Sequence, residues 1–119
     1  MNDKQRAKAF EVFKRANEDT TGKMYKIIDE AQDIISKLYK KRRKGVVKIN
    51  VVDALNIDFY YEQILHTKYS VSKMLLHIGD MEENGTEEEF AFVFQRLNDL
   101  METAKSNFEK IKHIISKIA

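Results

Sequence analysis

The chain has 119 residues, with 21 Lys and Arg against 19 Asp and Glu, no Cys and no Pro. That length suits a single domain with a core of its own, and the absence of thiols excludes a disulfide framework, a thiolate metal site and a thiol nucleophile. No run of about 18 apolar residues occurs, which excludes a membrane-spanning helix. The polar start Met1-Asn2-Asp3-Lys4-Gln5-Arg6 carries no apolar leader segment, so the expected location is cytoplasmic.

The first predicted element is a helix over about 3–43. Its apolar stripe runs Phe10, Phe13, Asn17, Thr20, Met24, Ile27, Ala31, Ile34, Leu38 in steps of three and four, the spacing that a partner helix covers. Asp3 is the expected N-cap and Gly45 the expected stop. Two stripe positions turn polar near Gly22. The alternative to one long helix is therefore a break near Thr20–Gly22, which would give four helices.

Val46 to Val52 has strand propensity, but Asn50 followed by Asp53 resembles a helix cap. The following stripe is helical: Ala54, Ile57, Tyr61, Ile64, Lys68, Val71, Leu75, Ile78. Leu65, Met74 and Leu76 widen this face, as though the helix met more than one neighbour. The predicted helix covers about 50–83, with Gly79 inside it and Asn84-Gly85 ending it. Lys68 on this stripe suggests a snorkelling side chain.

Thr86-Glu87-Glu88-Glu89 reads as a capping box and opens the last helix, about 87–118. Its stripe is Phe90, Phe94, Leu97, Met101, Ala104, Phe108, Ile111, Ile115, Ile118. Short connections between long helices require antiparallel neighbours. The expected fold is thus all-α, an antiparallel bundle of three long helices forming one domain over 1–119.

Antiparallel packing sorts the charge to the two tips. Lys37, Lys40, Lys41, Arg42, Arg43, Lys44 and Lys48 fall at one end without an acid, joined by Lys110, Lys112, Lys117 and His113. Asp80, Glu82, Glu83, Glu87, Glu88 and Glu89 fall at the other. Helix dipoles favour this distribution by about 0.3–1 kcal/mol per charge. The density of Lys40-Lys41-Arg42-Arg43-Lys44 exceeds what a helix end needs and makes Lys40, Lys41, Arg42, Arg43, Lys44 and Lys48 candidate phosphate contacts. No zinc-finger, helix-turn-helix or RNA-recognition signature accompanies them.

Phe90-Ala91-Phe92-Val93-Phe94 is apolar all round, so a single stripe cannot hide it. Phe92 points away from Phe90 and Phe94, and a similar excess occurs at Ile57, Phe59, Tyr60 and Tyr61. Phe92, Phe59 and Tyr60 are therefore the candidate partner or dimer surface. The three His do not converge in a metal-binding pattern. The four Gly are isolated, so no phosphate-cradling loop forms, and no nucleophile-elbow or H-E-x-x-H sequence occurs.

The expectation is a non-enzymatic adaptor, chaperone or inhibitor-type regulator that binds a protein or itself, as a homodimer, through helical faces. It carries no cofactor, metal or small-molecule substrate and does not insert into a membrane. The alternative is a nucleic-acid-binding accessory protein that uses the basic tip at 37–48.

Overall fold

The computed structural model describes residues 1–118. It contains α1 (Asp3–Arg43), α2 (Val51–His77), a single turn α3 (Met81–Asn84) and α4 (Glu87–Ile118). The three long helices form a rod of 64 × 19 × 18 Å. Its length is close to the ~61 Å expected of a 41-residue helix at ~1.5 Å per residue.

α1 is unbroken through Thr20–Gly22, so the bundle has three long helices. The polar stripe residue Asn17 is buried, and its side-chain amide donates to the Val71 carbonyl of α2 at 2.9 Å. The position that looked like a weak point in α1 is a cross-link to its neighbour. A buried amide without such a partner would cost about 1–3 kcal/mol.

Asn2, rather than the expected Asp3, caps α1. Its side chain accepts from the Gln5 backbone N–H at 2.8 Å, while the Gln5 side chain accepts from Asn2 N–H at 2.9 Å. At the far end Gly45 adopts φ 74°. Gly45 N–H donates to Arg42 O and Val46 N–H to Lys41 O, both at 3.0 Å. This is the paired closure that needs a left-handed residue after the helix. After the non-helical segment 46–49 the next helix starts at its cap, where Asn50 Oδ1 accepts from Asp53 N–H at 2.8 Å. The Val-rich stretch before it therefore feeds a helix.

α2 ends six residues earlier than the sequence pattern suggests. Ile78–Asp80 bend the chain, and α3 follows with Met81 buried among Phe10, Phe13 and Phe90. Gly79 lies in this bend instead of inside a helix. A straight continuation would carry Met81 past the end of the core, whereas the bend folds it back across the open end beneath α1 and α4. The capping box of α4 is present, with Glu89 N–H donating to Thr86 Oγ1 at 3.2 Å and Thr86 N–H to Glu89 Oε1 at 3.1 Å.

Contacts define the helix directions. Asn17 meets Val71, and the Lys68 ammonium lies 4.5 Å from the centre of the Tyr25 ring, so α1 and α2 are antiparallel. The Lys110 ammonium lies 5.2 Å from the Tyr60 ring centre, while α2's His77 lines one groove with Phe92 of α4, so α2 and α4 are antiparallel too. α1 and α4 consequently run parallel. Phe13 meets Phe94 edge to face at 5.6 Å, and Ile28 and Ala31 pack with Phe108 and Ile111. Lys68 extends from the core stripe to the Tyr25 face, an attraction that leaves its charged head near solvent.

Candidate functional site

Each long helix buries one side, and the three outer sides differ. The outer surfaces of α1 and α4 carry intrahelical ion pairs: Arg15–Glu11, Lys23–Asp19 and Lys37–Asp33 on α1, Lys105–Glu102 and Lys112–Glu109 on α4. Among the described residues no ion pair involves α2. Seven of the twelve large apolar side chains exposed among the described residues belong to α2, which is 27 residues long. Exposed apolar surface is thus concentrated on one helix.

The buried side of α2 is formed by Ile57, Ile64, Thr67 and Val71. On its opposite side, alternating steps of three and four from Val52 reach Leu55, Phe59, Glu62, His66, Tyr69, Lys73 and Leu76. All eight are exposed. The five apolar members range from 53% (Tyr69) to 78% (Leu76) accessible. α2 therefore carries two complete heptad stripes, one covered by α1 and α4 and one uncovered. A helix in a water-facing position ordinarily has a polar outer side.

The three residues expected at a partner surface fall in two places. Phe59 and Tyr60 touch edge to face at 5.5 Å. Phe59 belongs to the outer stripe, whereas Tyr60 is half-buried in the α2–α4 groove beneath Lys110. Phe92 is 61% exposed, as its position out of the α4 stripe implies. It lies in a separate open groove with His77, Met81 and Glu89, and the Arg96 guanidinium lies 5.3 Å from its ring centre. Phe92 is on α4 and is not a member of the outer stripe of α2. Val52, Leu55, Tyr69 and Leu76 were missed as surface residues. Their three-and-four spacing is present in the sequence, but of the four only Leu76 was read, as a widening of the core stripe, and the stripe lies on the opposite side of the helix.

At the basic tip Lys40, Lys41, Arg42, Arg43, Lys44 and Lys48 are all exposed, and none joins an ion pair among the described residues. The Arg42 guanidinium lies 5.5 Å from the Tyr39 ring centre. From α4, Lys117 and His113 reach this end beside Asp53. Lys112 is held by Glu109 at 2.6 Å and Lys110 lies over Tyr60, so these two are committed to α4 and the α2–α4 groove. The opposite tip carries Asp80, Glu82 and Glu83 at the α2–α4 connection and Glu87–Glu89 in the first turn of α4.

Among the described residues no three His, Asp or Glu side chains converge on a metal-sized site, and no helix is long and apolar enough to cross a membrane. The surface depressions are open grooves between helices. Comparison with known proteins finds no matching family model, no matching curated relative and no matching solved structure.

Proposed function

We propose that the chain is a non-enzymatic protein-binding module that works by presenting the outer face of α2. The observation that carries this reading is the second, uncovered heptad stripe Val52–Leu76. Five exposed large apolar side chains on one helix face are the kind of surface that interaction sites present, and the three-and-four spacing suits a helical partner laid lengthwise along it. The rigid core beneath keeps the stripe straight, which lowers the ordering cost of binding.

The test is retention of a partner by the immobilised chain in extract of its source cells. A stoichiometric partner is expected, and the combined substitutions Leu55→Glu and Leu76→Glu are expected to lower its retention at least about tenfold, because two charges would be desolvated in the seam. Undiminished retention by the double variant places recognition elsewhere and removes this reading.

A second reading rests on the six exposed cations of the tip, which resemble a phosphate-binding cluster. It expects binding of duplex or single-stranded nucleic acid, largely independent of sequence. With up to six phosphates neutralised, the slope of log K against log salt would reach about −5 on duplex DNA. A gel shift at about 50 mM salt checks this. No shift, or a shift that survives replacement of all six cations by Gln, rejects it.

A further inference from the structure

The outer stripe of α2 has a symmetry that selects its occupant. Its eight positions form four pairs about the level of Ile64: Val52 with Leu76, Leu55 with Lys73, Phe59 with Tyr69, and Glu62 with His66. Each pair is equidistant from residue 64, and so are the two ends of α2, Val51 and His77. If a second α2 lies antiparallel on the first, about a two-fold axis at this level, each residue faces its pair mate on the other copy. Aliphatic then meets aliphatic at both ends, aromatic meets aromatic inboard of them, and carboxylate meets imidazole on either side of the axis. Among the apolar members only Leu55 faces a charged residue, Lys73. The Lys73 ammonium already lies 4.5 Å from the Tyr69 ring centre, which leaves its methylene stem to cover Leu55.

We infer that this face binds a second copy of the chain, as an antiparallel α2–α2 dimer with its two-fold axis at Ile64. The inference rests on the protein-binding reading above and names the partner. Self-complementarity of one patch is what a two-fold interface requires.

Charge complementarity supports the same arrangement. The antiparallel overlap lays the 44–50 loop of each copy beside the 78–85 bend of the other. Lys44 and Lys48 then approach the second copy's Asp80, Glu82 and Glu83. A parallel pairing would bring two basic tips together and two acidic tips together. With a screening length of about 8–10 Å at physiological salt, only adjacent tips of a 64 Å rod interact. The tips thus choose the orientation, while the apolar stripe supplies the affinity. The seam is about 40 Å long and one helix wide, on the order of the ~800 Å² per partner of a standard interface. Glu62 and His66 in mid-seam play the part that isolated polar residues play in coiled coils, penalising slipped registers.

Three measurements on the full chain test this. Sedimentation equilibrium is expected to give twice the 14.0 kDa chain mass at micromolar concentration, with Phe59→Glu raising the dimer dissociation constant at least about 100-fold and Phe92→Glu leaving it unchanged. Because the chain has no Cys, mild oxidation of a mixture of Leu55→Cys and Lys73→Cys should cross-link the two variants to each other and neither to itself. Glu62→Lys and His66→Glu should each weaken self-association about tenfold, and mixing the two should restore it, since each copy then faces its opposite charge. A monomer at about 100 μM, dissociation by Phe92→Glu in place of Phe59→Glu, or cross-linking of Leu55→Cys to itself would overturn the inference. A monomer that still retains another protein through Leu55 and Leu76 would overturn only the dimer and leave the protein-binding reading standing.

Discussion

Phe13→Ala is expected to lower the unfolding free energy by about 3–5 kcal/mol, the usual cost of emptying a large aromatic site in a core. Phe13 has no accessible surface, lies in the cluster with Phe10, Met24, Phe90 and Leu97, and meets Phe94 edge to face. It joins the two parallel helices, α1 and α4, near the end where α3 folds back beneath them. Neighbours on continuous helices cannot collapse into the space it leaves, which favours the upper part of the range. Total stability of a domain this size is about 5–15 kcal/mol, so the variant would lose a large share of it. Urea titration followed by helical circular dichroism measures the effect. It must be run at one fixed protein concentration, because self-association would stabilise the folded state by mass action. A loss below about 1 kcal/mol would mean that Phe13 is not packed between α1 and α4.

Most of the fold was legible in the sequence because helical periodicity and capping are local signals. Phe90 through Ile111 reads as one stripe, and Thr86 with Glu89 marks the start of α4 to the residue. The bend at Ile78–Asp80 was not legible. Nothing local forces α2 to stop there, and Gly79 alone is tolerated within a helix at about 1 kcal/mol. The bend is favoured by Met81 reaching Phe10 and Phe90, a contact between residues far apart in the chain. Asn17 is a similar case. As a polar residue on an apolar stripe it left a break near Thr20–Gly22 open as the alternative to one continuous helix, and only the position of Val71 on the neighbouring helix gives its amide a partner.

The exposed apolar face of α2 was half legible for a related reason. The excess of apolar residues on α2 can be read from composition, and Phe59 was singled out correctly as exposed. The covered stripe, Ile57–Val71, was legible from its three-and-four spacing, but that α1 and α4 leave the opposite side of α2 bare is a tertiary fact. Once the Ile57–Val71 side is known to be inside, the Val52–Leu76 stripe becomes surface and its pairing about residue 64 can be read from the chain. The basic tip was legible as charge, but its meaning depends on this face. In the proposed antiparallel dimer each basic loop would lie beside an acidic bend, so self-association and phosphate binding would draw on the same cations, Lys44 and Lys48.

Replacing one glycine by alanine should stabilise this protein at Gly22 and destabilise it at Gly85. Both sites have ordinary backbone angles, with Gly85 at φ −66°. At such angles Gly→Ala normally stabilises by about 0.4–1 kcal/mol, since alanine has less freedom to lose on folding. Gly22 is exposed in mid-α1 with open space around a built Cβ, so the normal sign holds there. At Gly85 the same atom would lie 2.5 Å from the Met81 carbonyl oxygen and 2.7 Å from Phe90 Cε2. The Met81 oxygen is backbone and accepts the Gly85 N–H at 2.9 Å, so it cannot retreat without opening the turn. Phe90 is buried in the core and cannot retreat either. Relief requires Thr86 and its cap on α4 to shift, at an expected cost of about 1–3 kcal/mol, as for other overpacked sites. Thermal melts of the two variants beside the parent at equal concentration should move in opposite directions. A Gly85→Ala melt at or above that of the parent would show that the α3–α4 turn has room, and that Met81 is not pressed against Phe90 as described.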